Sequence, residues 1–333
     1  MPGGDDLGWM QAAIALAGRA RGLSTPNPNV GCILVKQGRV IARGWTQDGG
    51  RPHAEAMALA AAGEAARGAT AYVTLEPCAH ESARGGCCAD ALIAAGVSAV
   101  VIGVTDPDPR TTAMGIARLM AAGIAVRTVL QATFAASTAM APFLTRMVAG
   151  RAYVTLKLAT SLDGQIALAD GSSRWITGEH ARAHAHLLRA QCDAILVGRG
   201  TFDADAPMLD VRLPGLEHRS PQRLLLTHGD APEGWQAVHS PADAVALSGI
   251  NEILVEGGAQ TAAAFLVAGL VDRLILYRAP ILIGAGRACL ADIGLVDLSA
   301  AHGLWQLCDA RQLGPDRVEI YDAARPAFVP AMV

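Results

Sequence analysis

Short apolar runs alternate with alanine-rich stretches along the chain, and this alternation restarts once, between residues 142 and 151. Strands that alternate with helices at this spacing predict sheets covered by helices on both faces. We therefore expect two α/β domains, residues 1–148 and 149–333. The clearest predicted strands are 30–35, 40–45, 71–75, 98–104, 124–130, 153–158, 194–197, 223–226, 252–255 and 273–277, and the clearest predicted helices are 9–22, 53–67, 89–95, 112–122, 180–190 and 260–267.

Charge and aromatic content argue against a nucleic-acid partner. The 333 residues carry a net charge of −3, only 4% are aromatic, and no run of Lys or Arg occurs. A nucleic-acid binder needs a basic surface, and a single-strand binder also needs aromatic side chains on which bases stack. A few placed arginines must therefore hold any anionic substrate.

The sequence predicts neither a membrane-spanning stretch nor a signal peptide. No run reaches the roughly 18 apolar residues needed to cross a bilayer, and the first six residues lack a basic and an apolar region. The seven cysteines are odd in number and unevenly spaced. These features predict a cytoplasmic protein without a membrane partner, in which a local cysteine cluster serves metal binding.

A histidine, a glutamate and two cysteines form the most specific motif. His53-Ala54-Glu55 is followed by Pro77-Cys78 and then by Cys87, and this order is the signature of zinc deaminases. One imidazole and two thiolates would hold one Zn²⁺ per chain and leave a fourth position for water. Glu55, two residues after the histidine, would then carry protons between water, the substrate ring and the leaving ammonia.

A structural zinc site is the main alternative to this reading. Structural sites normally have four protein ligands, and either His80 or Cys88 could be the fourth. Eight residues separate Cys78 from Cys87, and this loop is expected to shape the substrate pocket. His180 and His184 also have a metal-binding spacing, but they are predicted, like His186, to be surface or pocket histidines because no third ligand is evident.

The motifs, taken in order, resemble those of the bifunctional deaminase–reductase family of riboflavin biosynthesis. The resemblance rests on residues 27–31, 52–55 and 72–78 in the first half and on 157–164, 175–177, 188–190 and 255–258 in the second. It implies a three-layer cytidine-deaminase-like domain followed by a dihydrofolate-reductase-like α/β domain. It also implies zinc-dependent hydrolytic deamination of a diaminopyrimidinone ribosyl phosphate, and then NADPH-dependent reduction of the ribosyl group to a ribityl chain.

The same resemblance implies roles for individual residues. Asn27 and His80 would contact the pyrimidine, and Asp205 would donate a proton or orient the reactants during hydride transfer. The sugar phosphate would meet Ser173, Arg189, Leu209, Arg212 and Glu256. The cofactor would meet Ala159, Trp175, Thr201, Asp205, Gly258, Ala259, Gln260, Thr261, Ala262, Ala263 and Ala264.

Three departures from the family pattern are visible. Thr46 stands where many members have histidine, residues 81–86 differ from the usual loop, and Ala206 replaces the second aspartate of an Asp-Asp-Pro motif. The zinc ligands are untouched, so these departures bear on substrate contacts and on the reductase.

Two rival functions follow from the sequence. One is a nucleoside or tRNA deaminase with an unrelated C-terminal domain, and the other is a zinc-stabilised regulatory protein without activity. The sequence does not give the oligomeric state, although an apolar, alanine-rich chain of this kind could bury the interface of a homo-oligomer, a dimer or a tetramer.

Overall fold

The structure is a computed structural model, and it describes residues 5–80, 85–108 and 112–324. The chain forms two compact units, the first ending at Gly150 and the second beginning at Arg151. No helix in these described ranges is long and apolar enough to cross a membrane.

The first unit is built on a five-stranded sheet with the order β2-β1-β3-β4-β5. β1 is antiparallel to both of its neighbours, whereas β3, β4 and β5 are parallel. Its elements are α1 (Asp6–Ala17), β1 (Gly31–Lys36), β2 (Arg39–Trp45), α2 (Ala54–Ala62), β3 (Thr70–Leu75), α3 (Cys88–Ala95), β4 (Ala99–Val104), α4 (Met114–Ala121), β5 (Ala125–Thr128), α5 (Leu130–Ala139) and α6 (Ala141–Ala149).

Helices cover both faces of this sheet because successive strand side chains point to opposite sides. Met10 of α1 and Ala132 of α5 pack with Ile33 and Val101 on one face. Ala58 of α2, Leu92 of α3 and Leu119 of α4 pack with Cys32 and Val100 on the other. The three central strands, β1, β3 and β4, are accordingly mostly apolar, as expected where both faces are buried.

The second unit contains an eight-stranded sheet with the order β10-β9-β8-β11-β6-β12-β15-β14 and a small two-stranded sheet of β7 and β13. The first six strands of the large sheet are parallel to one another. β15 is antiparallel to both of its neighbours, β12 and β14. The elements of this unit are β6 (Tyr153–Thr160), β7 (Gln165–Ala167), α7 (Glu179–Arg189), β8 (Ala194–Gly198), α8 (Arg199–Asp205), β9 (Gln222–Leu226), β10 (Gln236–Val238), α9 (Pro241–Ala246), β11 (Glu252–Val255), α10 (Ala259–Val267), β12 (Arg273–Arg278), β13 (Arg287–Ala288), β14 (Trp305–Leu313) and β15 (Asp316–Ala323).

The parallel pairing brings the carboxyl ends of three strands side by side. β11 lies between β6 and β8, so Ala159, Gly198 and Glu256 all lie at one edge of the sheet. Ligands of open α/β sheets bind outside such an edge. The topology therefore positions the functional groups of this unit.

The predicted α/β class is confirmed, and so are the buried strands. The stretch predicted as the break between the two series, residues 142–151, is largely helix α6, which begins with Pro142 in its first turn, where proline is tolerated. The sequence did not predict helices α5, α8 and α9 or strands β7, β10, β13, β14 and β15. β14 alternates poorly because most of its side chains are exposed.

Candidate active sites

Three metal-binding side chains meet in the first unit. His53 precedes α2, Cys78 follows β3, and Cys88 begins α3. His53 Nδ1 lies 3.2 Å from Cys88 Sγ and 3.6 Å from Cys78 Sγ, and all three ligand atoms lie within 4.8 Å of one another. Within the part of the chain that the structure describes, this is the one His/Cys/Asp/Glu group that could hold a metal ion.

The spacing of these atoms fits tetrahedral zinc. Bond lengths of about 2.1 Å to nitrogen and 2.3 Å to sulfur put neighbouring ligands about 3.6 Å apart. One imidazole and two thiolates are also the donor set of a zinc site that keeps a position open for chemistry.

Cys87 was predicted as the third ligand, but the structure brings the thiol of Cys88 rather than that of Cys87 to the other two side chains. Cys87 caps the start of α3, and its thiol donates to the carbonyl oxygen of Cys78 (2.9 Å) and accepts from Arg118 Nη1 (3.4 Å). Neighbouring residues at a helix start point about 100° apart, so only one of the two thiols can face His53.

Glu55 lies beside this cluster in the first turn of α2 and is buried. Its carboxylate lies within hydrogen-bonding reach of the Cys88 thiol. Helix α2 reaches the sheet closely at Gly44, where a Cβ atom would lie 2.1 Å from the carbonyl oxygen of Ala54. The glycine in β2 therefore sets the depth at which His53 and Glu55 enter the site.

Burial and hydrogen bonds shift the ionisation of these groups. Burial raises the pKa of Glu55, which favours proton exchange nearer to neutral pH. Hydrogen bonding to Cys88 lowers the pKa of Cys78 to about 4, and the thiolate is the form that binds metals. Burial lowers the pKa of His53, but its hydrogen bond to Cys78 and the charge of Glu55 outweigh burial and raise it.

Two residues with no predicted role support the cluster. The buried Glu76 accepts backbone N–H groups of Ala113, Gly115 and Ile116 at 3.1–3.3 Å and so fixes the start of α4 next to Cys78. Arg118 of α4 bridges Cys87 to Asp90. Glu76 lies within residues 72–78, which carry the family resemblance, but nothing in its spacing indicates which helix it caps.

The other predicted residues of this site lie around it. Asn27 Nδ2 donates to the carbonyl oxygen of Gly50 at 3.0 Å and lies 3.5 Å from His53 Nε2. His80 is partly buried, two residues after Cys78. Thr46 is buried, and its hydroxyl accepts the Val30 N–H, so this departure is accommodated within the fold. Residues 81–84 of the altered loop lie outside the described residues.

A cavity of about 920 Å³ lies in the second unit, at the sheet edge described above. It brings together most of the residues predicted for the reductase. The predicted residues that line it are Ala159, Ser173, Trp175, Arg189, Thr201, Asp205, Leu209, Arg212, Glu256, Gly258, Ala259, Gln260 and Thr261.

Of the residues predicted to meet the cofactor between 258 and 264, only the first four line the cavity. Ala262 and Ala263 are buried and Ala264 is partly buried, and none of the three lines the cavity. They follow the first turn of α10, where side chains turn into the core. A Cβ atom at Gly257 would lie 2.5 Å from Thr261 Cβ, so the backbone here passes close to the helix start, where N–H groups favour anionic ligands.

Glu256 is the electrostatic centre of the cavity. Its carboxylate accepts two hydrogen bonds from Arg189, at 2.8 and 2.9 Å, and lies 3.5 Å from Lys157 Nζ. Burial would raise the pKa of Glu256, but the charges of Lys157 and Arg189 outweigh it and lower the pKa to about 2. Glu256 therefore compensates the charges of two cations. Lys157 also lines the cavity, although the sequence analysis predicted no role for it.

Asp205 ends α8 and pairs with a loop on the other side of the cavity. Arg174 Nη2 donates to its carbonyl oxygen at 3.0 Å and lies 3.7 Å from its carboxylate. The neighbouring Trp175 is 66% exposed, with the guanidinium of Arg182 4.9 Å from its ring. Ala206 follows in the left-handed region, at φ 40°, which aspartate tolerates better than alanine.

The three histidines of α7 have ordinary surroundings. His184 Nδ1 contacts the Tyr277 hydroxyl, and His186 lines the cavity and contacts the Asp210 carbonyl oxygen. His180 lies at the helix surface. None of them belongs to the metal-binding cluster found among the described residues.

Each half of the chain matches a known family. Residues 4–104 match the cytidine and deoxycytidylate deaminase zinc-binding region. Residues 152–240 and 243–318 match the RibD C-terminal domain.

Similarity to curated proteins extends over nearly the whole chain. The riboflavin biosynthesis protein RibD of Escherichia coli is 39% identical over 92% of this chain and 96% of its own length. The chain belongs to the RibD family. The RibD protein of Mycobacterium tuberculosis is 38% identical over 92% of this chain and 94% of its own length.

Solved RibD structures share the fold. One of Acinetobacter baumannii RibD has a TM-score of 0.83 and 37% identity, covering 96% of this chain and 99% of its own. The deaminase/reductase of Thermotoga maritima has a TM-score of 0.86 and 29% identity, covering 96% and 98%.

The chain is thus a bifunctional deaminase and reductase of riboflavin biosynthesis that uses Zn²⁺ and NADPH. It acts on small pyrimidine substrates. A nucleoside or tRNA deaminase with an unrelated second domain is not favoured, because the second half matches the RibD C-terminal domain.

Proposed function

We propose that residues 1–148 carry out the deamination and residues 149–333 the reduction. The observation that supports the first assignment best is the cluster of His53, Cys78 and Cys88 within 4.8 Å, beside the buried Glu55. When bound there, zinc would supply activation of water for attack on the pyrimidine carbon that carries the amino group.

Glu55 is the proton carrier of this proposal. Its buried carboxylate has a raised pKa, so it can accept the first proton of water at Oε and pass it to a ring nitrogen. It can then accept the second proton and pass it to the leaving amine. Asn27, next to His53, and His80 would bind and orient the pyrimidine.

For the reduction, we propose that the cavity binds both NADPH and the sugar phosphate. The backbone from Gly257 to the start of α10 would hold a cofactor phosphate, with Ala159, Trp175 and Thr201 along the cofactor. Ser173, Leu209, Arg189 and Arg212 would hold the sugar phosphate. The guanidinium of Arg212 can bind two phosphate oxygens at once, whereas Arg189 would donate through the N–H groups that Glu256 leaves unused.

Glu256 and Asp205 act through their cationic partners in this proposal. A carboxylate repels a phosphate, so Glu256 orients Lys157 and Arg189 instead of touching the phosphate itself. Asp205, paired with Arg174, orients the loop that carries Trp175.

We propose a cytoplasmic location. No disulfide joins any of the seven cysteines, all of which the structure describes, as expected in a reducing compartment.

A coupled assay tests the whole proposal. The zinc-loaded enzyme, given the diaminopyrimidinone ribosyl phosphate and NADPH, is expected to release ammonia and to oxidise NADPH in equal amounts. Zinc removal should stop both signals with this substrate but leave NADPH oxidation intact when the deaminated compound is supplied. Ammonia release from cytidine or RNA at a comparable rate would contradict the substrate assignment.

The third zinc ligand can be tested by removing the two neighbouring thiols separately. His53→Ala and Cys78→Ser should each purify without zinc. From the contacts of Cys88, we expect Cys88→Ser to lose zinc and Cys87→Ser to keep it. Metal content by mass spectrometry is the measurement, and loss of zinc in Cys87→Ser alone would return the assignment to Cys87.

A further inference from the structure

Arg199 lies next to the reductase cavity, at the carboxyl end of β8. It is the first residue of α8, and the two residues after it, Gly200 and Thr201, line the cavity. Its guanidinium reaches the neighbouring strand β9, where Nε and Nη2 each donate to the Thr227 hydroxyl oxygen at 3.2 Å and Nη2 donates to the Asp230 carbonyl oxygen at 2.6 Å. These bonds hold the guanidinium at the carboxyl ends of two adjacent parallel strands.

The strand order indicates which half of NADPH lies near Arg199. The cofactor contacts proposed above are Ala159 of β6, Gly257 after β11 and Thr201 after β8. These three strands are adjacent in the order β6, β11, β8, and the next strand is β9. The distance from β6 to β9 is three strand spacings, about 14 Å, which an extended dinucleotide can bridge. With the nicotinamide near Ala159 and Trp175, the adenosine half of the cofactor therefore continues toward β9.

The backbone around the guanidinium leaves room for a ligand. Gly200 follows Arg199, and Gly229 lies in the loop after β9. Within the described chain, a Cβ atom built at either glycine would have no heavy atom within 4 Å apart from its chain neighbours. The Arg199 side chain is itself 39% exposed, so a ligand can reach it.

Arg199 keeps its positive charge available for an anion. Its hydrogen-bond partners at β9 are uncharged oxygens, whereas Arg189 is neutralised by Glu256 through two hydrogen bonds. The carboxylate of Asp203 lies 3.7 Å from Arg199 Nη1, but its side chain is 60% exposed, and exposed pairs of this kind contribute little to stability. The bonds at β9 use Nε and Nη2, so the two N–H groups of Nη1 can donate to an anion.

We propose that Arg199 binds the 2′-phosphate of NADPH and thereby selects NADPH over NADH. The 2′-phosphate lies on the adenosine ribose and is the group that distinguishes the two cofactors. A phosphate and a guanidinium form short, charge-assisted hydrogen bonds, and arginine stays charged throughout the physiological pH range. This role rests on the proposed function, because it requires NADPH to lie in the cavity.

Direct binding measures this selection without turnover. Isothermal titration calorimetry of the full-length, zinc-loaded enzyme with NADPH and with NADH gives both dissociation constants. Arg199→Gln should raise the dissociation constant of NADPH about 10- to 100-fold, the loss expected for a hydrogen bond to a charged group, and should leave that of NADH unchanged. Unchanged NADPH binding in Arg199→Gln would overturn the proposal.

Arg223→Gln is the matched control. It removes an equal charge near the start of β9, where the Arg223 guanidinium lies 5.4 Å from the Trp235 ring, and it should bind both cofactors like the parent chain. An equal loss of NADPH binding in Arg223→Gln would show a general effect of charge and would also contradict the role of Arg199.

Charge reversal at Arg199 should exchange the cofactor preference. The carboxylate of Arg199→Glu would repel the 2′-phosphate and can accept a hydrogen bond from the ribose 2′-hydroxyl of NADH, as acidic residues do in NAD-binding folds. The variant should therefore bind NADH more tightly than NADPH. A variant that still prefers NADPH is the result that argues against Arg199.

Gly258→Val tests the placement of NADPH separately. Gly258 lines the cavity, and its backbone, at φ −74°, accepts a valine, whose side chain would occupy the place proposed for a cofactor phosphate. Both cofactors should then bind more weakly by the same factor. Parent-like binding of both would contradict the placement of NADPH and the role of Arg199 with it. If both bind weakly to Gly258→Val while Arg199→Gln keeps the parent's preference for NADPH, only the role of Arg199 is wrong.

Discussion

Replacing Glu55 by glutamine is expected to lower the rate of deamination by about 10²- to 10⁴-fold, the contribution typical of a positioned general acid–base. The amide has nearly the same shape but cannot accept the proton. Zinc should stay bound, since Glu55 is not among the three clustered ligand side chains. Ammonia release from the ribosyl phosphate substrate, together with the zinc content of the purified variant, measures the effect.

The reductase provides an internal control for this variant. Glu55→Gln should still oxidise NADPH when it is given the deaminated compound, since its cavity lies entirely in the second unit. Glu64→Gln, an exposed glutamate close in sequence, should deaminate at the parent rate. Full deaminase activity in Glu55→Gln would remove Glu55 from the mechanism.

The residues of the deaminase site could be predicted because they lie in short sequence motifs whose residue types indicate their chemistry. His53 and Glu55 share one turn, and Cys78 follows a buried strand. The sequence does not determine which of the two thiols, Cys87 or Cys88, faces His53. Starting α3 one residue earlier or later exchanges their positions. Spacing along the chain does not determine where α3 starts.

The reductase site was less accessible to sequence reasoning because its contacts are distant along the chain. Glu256 is 67 residues from Arg189 and 99 from Lys157, and only the order of the parallel strands brings them together. The family resemblance indicated that Glu256 matters, but not that it compensates two cations.

In the fold, too, elements with a local sequence pattern were predicted, and elements that depend on distant contacts were not. Strands buried on both faces, such as β4 and β8, were predicted from continuous apolar runs. β14 was missed because an exposed edge strand has polar residues on both faces. Its existence depends on pairing with β15, which hydrophobic periodicity does not report.

Glu256→Gln is expected to have the largest effect on the second unit. It leaves Lys157 and Arg189, both largely buried, without a compensating charge, and breaking such a buried pair typically costs about 3–5 kcal/mol. The reductase should lose activity and the second unit should unfold at lower urea. Glu217→Gln, a change at an exposed glutamate of the same unit, should do neither.

The pH dependence of this effect separates ionic compensation from simple packing. The pKa of Glu256 is lowered from its ordinary value of 4.5 to about 2 by the two cations. A carboxylate with a lowered pKa stabilises the fold fully above its unfolded pKa, and the stabilisation is lost as the pH falls through the folded pKa. The parent chain should therefore lose about 3 kcal/mol of stability from Glu256 between pH 4.5 and pH 2.

Glu256→Gln has no such group, so its stability should fall less steeply over the same range. Urea titrations read by tryptophan fluorescence measure this difference, with Trp9 and Trp45 replaced by phenylalanine so that only tryptophans of the second unit report. Parallel pH profiles for the parent and Glu256→Gln would show that the carboxylate is not ionised against Lys157 and Arg189. In that case the role of Glu256 in orienting the two cations would have to be abandoned.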